Sequence, residues 1–196
     1  HMLGYKGSVH DQKWNGKLDI DENEIEKPIP LFSKIKFREE PFAKLDLRVA
    51  KITSVEDHPN ADKLYVIEID VGELGRRKIV AGIKPWYKKE DLLNRKIVIV
   101  ANLKKAKIRG IESEGMLLAV DEKGEAVLLI ANGKEGSKVY IEGIEAEPPK
   151  EISYEEFKEV KMFSKNNAIE YKGKLLRDEK GIIKTFRVVK DGFPVR

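Results

Sequence analysis

A dense group of cations in the middle of the chain is the feature with the clearest chemistry. Four basic side chains fall within six positions, directly before Gly110: they are Lys104, Lys105, Lys107 and Arg109. Nucleic-acid phosphates are bound mainly by such side chains and by backbone donors, so the group predicts a grip on a polyanion backbone. The alternative is a solvated strand edge whose lysines prevent aggregation.

The charge around this group is distributed unevenly. Residues 92–111 hold six basic residues and no acid, whereas residues 112–148 hold nine acids against three lysines. The modest net charge of +4 therefore conceals a basic block beside an acidic one. Composition alone leaves a polyanion-binding face and a solvated face equally open.

Three residues upstream could extend a binding track. Lys84 precedes Pro85 and Trp86 at the start of a predicted short helix, where it would add a cation. Trp86 and its neighbour Tyr87 could stack on bases, as aromatic platforms do in RNA-binding proteins. Aromatic residues that open a short helix more often belong to the core, which is the competing interpretation.

The sequence lacks the residues that several kinds of catalytic site and metal site need. The chain has no cysteine, which rules out thiol catalysis, disulfides and cysteine-ligated metals, and its three histidines are scattered. The sequence shows no Ser-His-Asp set, phosphate-binding loop or metal-ligand spacing. We therefore predict no catalytic residue, no metal and no cofactor, and a chain that is not an enzyme by itself.

The composition also bears on location. The uncharged apolar stretches are far shorter than the roughly 20 residues of a membrane-spanning helix, so we expect no membrane contact. The first residues lack a basic region followed by an apolar core, so we expect no signal peptide and a cytoplasmic protein. The 37% of charged residues and the lack of cysteine favour a heat-adapted source.

The elements that must position the cations read mainly as strands. Alternating apolar residues predict strands over residues 45–52 and 64–71. A third strand is predicted over residues 78–83, a buried strand over residues 97–100, and a hairpin of residues 115–120 with 126–130. The alternation slips at Ala50-Lys51, which suggests a bulge. A short helix is predicted over residues 86–93, between the third and fourth strands. This order suits a five-stranded barrel of the oligonucleotide-binding (OB) type, although several small barrels share it.

The flanking segments differ from this part. Residues 1–40, with glycines, prolines and an acidic run, predict an extended arm or linker. The Pro148-Pro149 pair marks a boundary, after which Ser153 and Glu156 have capping-box spacing and predict a short helix. We therefore divide the chain into an arm (1–40), an OB-fold domain (41–143) and an α+β C-terminal appendix (144–196) packed on that domain. All-β structure should dominate the whole.

Three blocks in order carry a family resemblance. They are Leu47-Arg48-Val49-Ala50-Lys51-Ile52, His58-Pro59-Asn60-Ala61-Asp62-Lys63-Leu64-Tyr65, and the stretch from Asn102 to Met116. Together they resemble the tRNA-binding domain family, found in the C-terminal part of methionyl-tRNA synthetases, in free structure-specific tRNA-binding proteins and in endothelial monocyte-activating polypeptide II. The family has glycine at the position of Ala50 and proline at that of Lys105. The tail from Glu147 resembles the polypeptide II appendix, and Pro30-Leu31-Phe32-Ser33-Lys34-Ile35 resembles the end of the synthetase's catalytic part.

The resemblance implies further tRNA contacts beside the four cations and Lys84. Ser113 would be a small donor and acceptor, and Met116 an adaptable apolar surface for a base or ribose. Asn60, Lys63 and Trp86 are weaker candidates. Asn-Ala-Asp before a strand is equally good turn chemistry, and Trp86 could instead belong to the core. Asn102 would be partly structural.

The leading hypothesis is a non-catalytic tRNA-binding module or subunit of methionyl-tRNA synthetase that raises tRNA affinity. Its partners would be tRNA and the synthetase's catalytic subunit or domain, which would carry the ATP and methionine chemistry. The alternatives are a free tRNA chaperone or assembly cofactor and, from another class, a protein-interaction or signalling module. The appendix would cover the barrel edge near residues 137–143, which predicts a monomer with pseudo-dimer architecture rather than a homodimer.

Overall fold

The computed structural model describes residues 40–196, so the predicted arm lies, apart from Glu40, outside the described residues. Strands dominate this part of the chain, and the two α-helices are short. This confirms the predicted β-dominated fold. Neither helix of residues 40–196 has the length and apolar character needed to span a bilayer.

The first part of the fold is an antiparallel sheet with one short helix between its third and fourth strands, as predicted. Its elements are β1 (Leu47–Asp57), β2 (Tyr65–Asp70), β3 (Arg76–Ala81), α1 (Lys89–Leu92), β4 (Lys96–Val100), β5 (Ala106–Ile108), β6 (Ile111–Ser113), β7 (Met116–Leu117), β8 (Ala119–Glu122), β9 (Glu125–Ile130) and β10 (Tyr140–Ile141). The strands follow the order β3-β2-β1-β4-β9, with β7 against β4 and β8 against β9. Strands β5 and β6 form a separate two-stranded sheet.

The first half of strand β1 has buried residues on both faces, which explains the slip in its alternation. Leu47 and Val49 belong to one hydrophobic cluster, whereas Ala50 and Ile52 belong to the other. The pairing of β1 with β4 is continuous through this region, and the irregularity in its pairing with β2 falls between Ile52 and Ser54. The bulge predicted at Ala50-Lys51 is therefore wrong in position. The slip marks the passage of the strand from one cluster to the other.

The predicted hairpin after residue 115 is also rearranged. Strands β8 and β9 do form a hairpin, closed by Lys123 and Gly124 at positive φ. The earlier residues Met116 and Leu117, however, pair with β4 as β7 rather than with β9. A strand can change its partner within a few residues because each side of the backbone pairs independently.

The appendix contains one helix and five short strands. They are α2 (Tyr154–Glu159), β11 (Phe163–Lys165), β12 (Ala168–Tyr171), β13 (Lys174–Asp178), β14 (Gly181–Ile182) and β15 (Lys184–Thr185). The predicted capping box is present: the Glu156 backbone N–H donates to Ser153 Oγ at 3.2 Å, and the Ser153 N–H donates to Glu156 Oε2 at 2.8 Å. These bonds satisfy donors that would otherwise lack partners at the start of α2.

The appendix packs on the first part by extending its sheet. Strand β15 pairs with β9, and β13 pairs with β10. One hydrophobic cluster contains Val49 and Leu129 from the first part together with Phe157, Ile169 and Leu176 from the appendix. The predicted packing of the appendix is thus confirmed, and the edge near residues 137–143 is covered.

A buried carboxylate ties the two parts together. Asp178 Oδ2 accepts the backbone N–H groups of Asn132 and Gly133, both at 2.8 Å, from the loop after β9. Its Oδ1 accepts those of Lys180 and Gly181 at 2.8 and 2.9 Å. Burial acts to raise the pKa of Asp178, but the four backbone hydrogen bonds outweigh it and hold the pKa below its usual value. Asp178 therefore stays ionised and stabilises the junction.

Candidate nucleic-acid interface

The four cations of the sequence cluster lie on or beside a tight hairpin formed by β5 and β6. We call residues 104–114 the basic hairpin. Its two-residue turn consists of Arg109 at φ 49° and Gly110 at φ 98°, an arrangement typical of a type I′ hairpin turn. This hairpin was not predicted from the sequence, although Arg-Gly between alternating apolar residues was an available signal.

The strand pairing divides the basic hairpin into two faces. Lys107 lies opposite Glu112, and Ala106 lies opposite Ser113. Since side chains alternate along a strand, Lys105 and Glu114 share the face of Lys107 and Glu112. The exposed face is therefore a ladder of mixed charge rather than a purely basic surface.

Lys105 already forms ion pairs with two carboxylates of this ladder. Its Nζ lies 2.7 Å from Glu114 Oε1 and 3.1 Å from Glu112 Oε1. The hydrogen bond to Glu114, and then that to Glu112, raises the pKa of Lys105 above its usual value. The hydrogen bond from Lys105, together with the backbone N–H of Lys78, lowers the pKa of Glu114, so this carboxylate stays ionised. A phosphate that binds Lys105 must displace these carboxylates.

The other three cations of the cluster are available. Within residues 40–196, the exposed side chains of Lys104, Lys107 and Arg109 make no ion pair. Lys104 is held through its backbone N–H, which donates to the carbonyl of Ile152 at 2.9 Å. Among the described residues 40–196, this edge thus has three cations without an ion pair and one paired cation.

Ser113 fastens the basic hairpin to the sheet. This residue is only 3% exposed, and its Oγ accepts from the backbone N–H of Val80 at 3.0 Å and donates to the carbonyl of Gly115 at 3.0 Å. These bonds occupy the hydroxyl, which favours a positioning role over direct contact. Met116 is half-buried against the hydrophobic cluster shared with the appendix, so it combines a core contact with a partly open surface.

His58 is a second anchor of the basic hairpin. Its Nδ1 accepts from the backbone N–H of Asn60 at 3.1 Å, so the neutral ring carries its proton on Nε2. Nε2 lies 3.3 Å from the carbonyl oxygen of Ile108 and donates to it. The ring is 4% exposed. His58 therefore joins the loop that contains Asn60 and Lys63 to the turn of the basic hairpin, and it brings two of the sequence blocks together.

Two further cations form ion pairs with Asp57, the residue before His58. Asp57 lies 2.5 Å from Lys84 Nζ and also pairs with Lys89. Hydrogen bonds from Lys84, and then from Lys89, lower the pKa of Asp57. Lys84 Nζ also lies 5.9 Å from the centre of the Tyr65 ring. Lys84 is thus beside the predicted interface but is already engaged with an anion and a π face.

The two aromatic candidates separate clearly. Trp86 is 40% exposed, which leaves a ring surface open to a ligand. Tyr87 is buried, and its Oη accepts from the backbone N–H of Leu128 at 3.0 Å. Tyr87 therefore belongs to the core, and stacking remains a prediction for Trp86 alone.

Asn102 has a fully occupied side chain. Its Oδ1 accepts from the Asp46 N–H at 3.0 Å, and its Nδ2 donates to the carbonyls of Lys44 at 2.9 Å and Pro149 at 3.1 Å. The residue is 7% exposed. This arrangement favours the structural part of its predicted role, because the side chain holds residues 44–46 and the linker at Pro149.

Comparison with known families gives this geometry a context. Residues 47–139 match the family described as "Putative tRNA binding domain". The chain contains a tRNA-binding domain of this family. The matched range holds β1, His58 and the entire basic hairpin, which are the elements that assemble the interface.

Similar full-length proteins include two aminoacyl-tRNA ligases. The methionine–tRNA ligase of Pyrococcus abyssi is 48% identical over 139 residues, which are 67% of this chain and 19% of that protein. The cytoplasmic tyrosine–tRNA ligase of Xenopus laevis is 45% identical over 114 residues, or 55% of this chain and 22% of that protein. The chain thus spans about a fifth of the length of these relatives.

A solved structure shares more than the tRNA-binding domain. The crystal structure of the C-terminal domain of Plasmodium vivax p43 aligns with a TM-score of 0.72 and 28% identity, covering 79% of this chain and 98% of that one. Because 79% of 196 residues is about 155, the aligned part is longer than residues 1–143 together. The likeness therefore extends into the appendix.

Proposed function

We propose that the tRNA-binding domain grips the tRNA backbone with the basic hairpin and thereby raises the tRNA affinity of a methionyl-tRNA synthetase. The names of the similar methionine–tRNA ligases support the choice of enzyme. The ATP and methionine chemistry belongs, in this proposal, to a catalytic domain or partner chain. This chain supplies only binding.

The observation that carries the proposal is the placement of Lys104, Lys107 and Arg109 on an anchored scaffold. The basic hairpin is held by Ser113 on one strand and by His58 at its turn. A backbone that is positioned before tRNA arrives loses little conformational freedom on binding, so more of the phosphate attraction appears as affinity. Electrostatic contacts of this kind recognise the backbone and its shape rather than base sequence.

Salt-dependent binding of total tRNA tests the proposal. Three free cations that each neutralise one phosphate give a log–log slope of about −2 to −3, at about 0.7 to 0.9 per phosphate. Lys107→Ala with Arg109→Ala should weaken binding about tenfold or more and make the slope shallower by about 1.4 to 1.8. Thermal unfolding should barely change, since both side chains are exposed.

A matched control removes the same charge elsewhere. Lys161→Ala with Lys180→Ala takes two exposed cations from the appendix and should leave binding nearly unchanged. A salt slope near zero for the unmodified chain, or equal losses in the control and the hairpin variant, would contradict the proposed grip.

The affinity-raising role needs a separate assay. Adding the chain in trans to a cognate catalytic part should lower the KM for tRNA with little change in kcat, because a remote contact binds ground and transition states alike. The hairpin variant should lose this effect, and the control variant should keep it. Methionine charging by the purified chain alone would refute the division of labour.

A further inference from the structure

A polar cleft beside the basic hairpin contains a second set of cations. Its volume is about 290 Å³, and its polar lining includes four basic side chains and two carboxylates. The basic residues are Arg76, Arg77, Lys105 and Lys150, and the acids are Glu114 and Glu151. A water molecule occupies about 30 Å³ in the liquid, so the cleft has room for a phosphodiester group and its hydration.

Lys150 reaches this cleft because the linker before α2 is pinned to the sheet. The Pro149 carbonyl accepts from Asn102 Nδ2 at 3.1 Å, and the Ile152 N–H donates to the Asn102 carbonyl at 2.9 Å. Lys150 therefore lies between two anchored residues. The linker after Pro148, which the sequence predicted to be a domain boundary, therefore has a defined backbone position against the binding domain.

Strand β3 supplies another part of the lining. The Arg77 guanidinium donates to the carbonyl of Ala101 and, at 3.4 Å, to that of Glu114, so it is committed to holding the wall. Arg76 is exposed and makes no ion pair with any residue of the 40–196 range. Lys150 is likewise exposed and unpaired within that range. Two cations from distant parts of the chain, neither with an ion pair in the part that the structure describes, thus line one cleft.

The cleft is continuous with the basic hairpin. Lys105 and Glu114 line it and also belong to the charge ladder of the hairpin. A nucleic-acid backbone held by Lys107 and Arg109 can therefore pass from one set of cations to the other without leaving the surface.

We propose that Arg76 and Lys150 bind a second stretch of the tRNA backbone in this cleft, with one phosphate between them. The inference rests on the proposed tRNA binding and extends it: the linker to the appendix contributes a nucleic-acid contact of its own. Two cations that line one cleft with mostly polar, non-aromatic surroundings suit a phosphodiester and offer no platform for base stacking.

The test is tRNA binding by the full chain with Arg76→Ala and Lys150→Ala, compared with the hairpin variant and with Lys161→Ala/Lys180→Ala. Loss of one phosphate contact should make the log–log salt slope shallower by about 0.7 to 0.9 and weaken binding severalfold. The losses of the cleft and hairpin variants should add in the combined variant. Lys150→Glu, a single exposed change, gives a second variant that repulsion should weaken further even if the double variant is unstable.

The outcomes separate the two proposals. If the hairpin variant binds weakly while both cleft variants bind like the unmodified chain, the cleft inference is overturned and the proposed function stands. If the unmodified chain shows no salt-dependent tRNA binding, the proposed function fails as well. If the cleft and control variants weaken tRNA binding equally, the loss reflects net charge alone, and the proposal of a phosphate site in the cleft is overturned.

Discussion

Releasing Lys105 from its carboxylate partners should strengthen tRNA binding and make it more sensitive to salt. Glu112→Gln with Glu114→Gln keeps the shape of both side chains and an acceptor oxygen for the Lys78 N–H, which Glu114 Oε2 now accepts at 3.1 Å. The substitutions remove the two charges that hold Lys105 at 3.1 and 2.7 Å. Lys105 would then join Lys104, Lys107 and Arg109 as a cation free to neutralise phosphate.

The magnitude follows from the number of phosphates. Counting the hairpin alone, with its three contacts, a fourfold rise in salt from 50 to 200 mM should weaken binding by about 20- to 40-fold at 0.7 to 0.9 per phosphate. With four contacts, the same rise should weaken binding by about 50- to 150-fold. The variant should therefore bind more tightly than the unmodified chain at low salt and lose that advantage as salt increases.

Fluorescence anisotropy with labelled tRNA across this salt range measures both slopes. Glu145→Gln with Glu159→Gln is the matched control, because it removes two exposed carboxylates that form no ion pair among residues 40–196. An unchanged slope in the Glu112/Glu114 variant would show that Lys105 does not contact phosphate. An equal change in the control would show that only net charge matters.

Three further results are expected. Asp178→Asn places an N–H₂ group against two backbone donors and should lower the unfolding free energy by about 1–3 kcal/mol, as measured by denaturant titration. Because the folded pKa of Asp178 is depressed, its stabilisation is present at neutral pH and is lost as pH falls through that pKa, so the variant should show a weaker acid dependence of stability. His58→Ala should speed hydrogen exchange in β5 and β6 and weaken tRNA binding, while exchange in β2 stays slow; unchanged hairpin exchange would remove its anchoring role. The intact chain should scatter light as a monomer near 22.4 kDa, whereas truncation after Gly143 should cause dimers or aggregates by uncovering β9 and β10; a stable dimer of the intact chain or a well-behaved truncated monomer would contradict this.

Local patterns in the sequence were sufficient for much of the fold. Alternation over residues 64–71 predicted β2, because a strand with one buried face repeats every two residues. The short apolar run over residues 97–100 predicted β4, because a strand buried on both faces is apolar at every position. Ser153 and Glu156 predicted the start of α2 from their spacing alone, since a capping box needs only residues of one turn. These features depend on neighbours in the chain, so they can be read without the fold.

The roles of the predicted site residues were harder to predict, because they depend on partners that are distant in the sequence. The chain supplies a Ser113 hydroxyl and an Asn102 amide, but only the fold shows that Val80, Gly115, Asp46, Lys44 and Pro149 occupy them. These partners lie up to 58 residues away, and no local pattern indicates which backbone group a side chain will meet.

The sequence by itself determined the number of cations, the lack of thiol chemistry and the β-rich character of the chain. Only the tertiary structure decided which cations are free. Lys105 is paired because the turn at Arg109-Gly110 folds Glu112 and Glu114 onto its face, and Lys150 joins the interface because its linker is bound to Asn102. Charge is a property of each residue, whereas its availability depends on the distance to opposite charges, and that distance exists only in the folded chain.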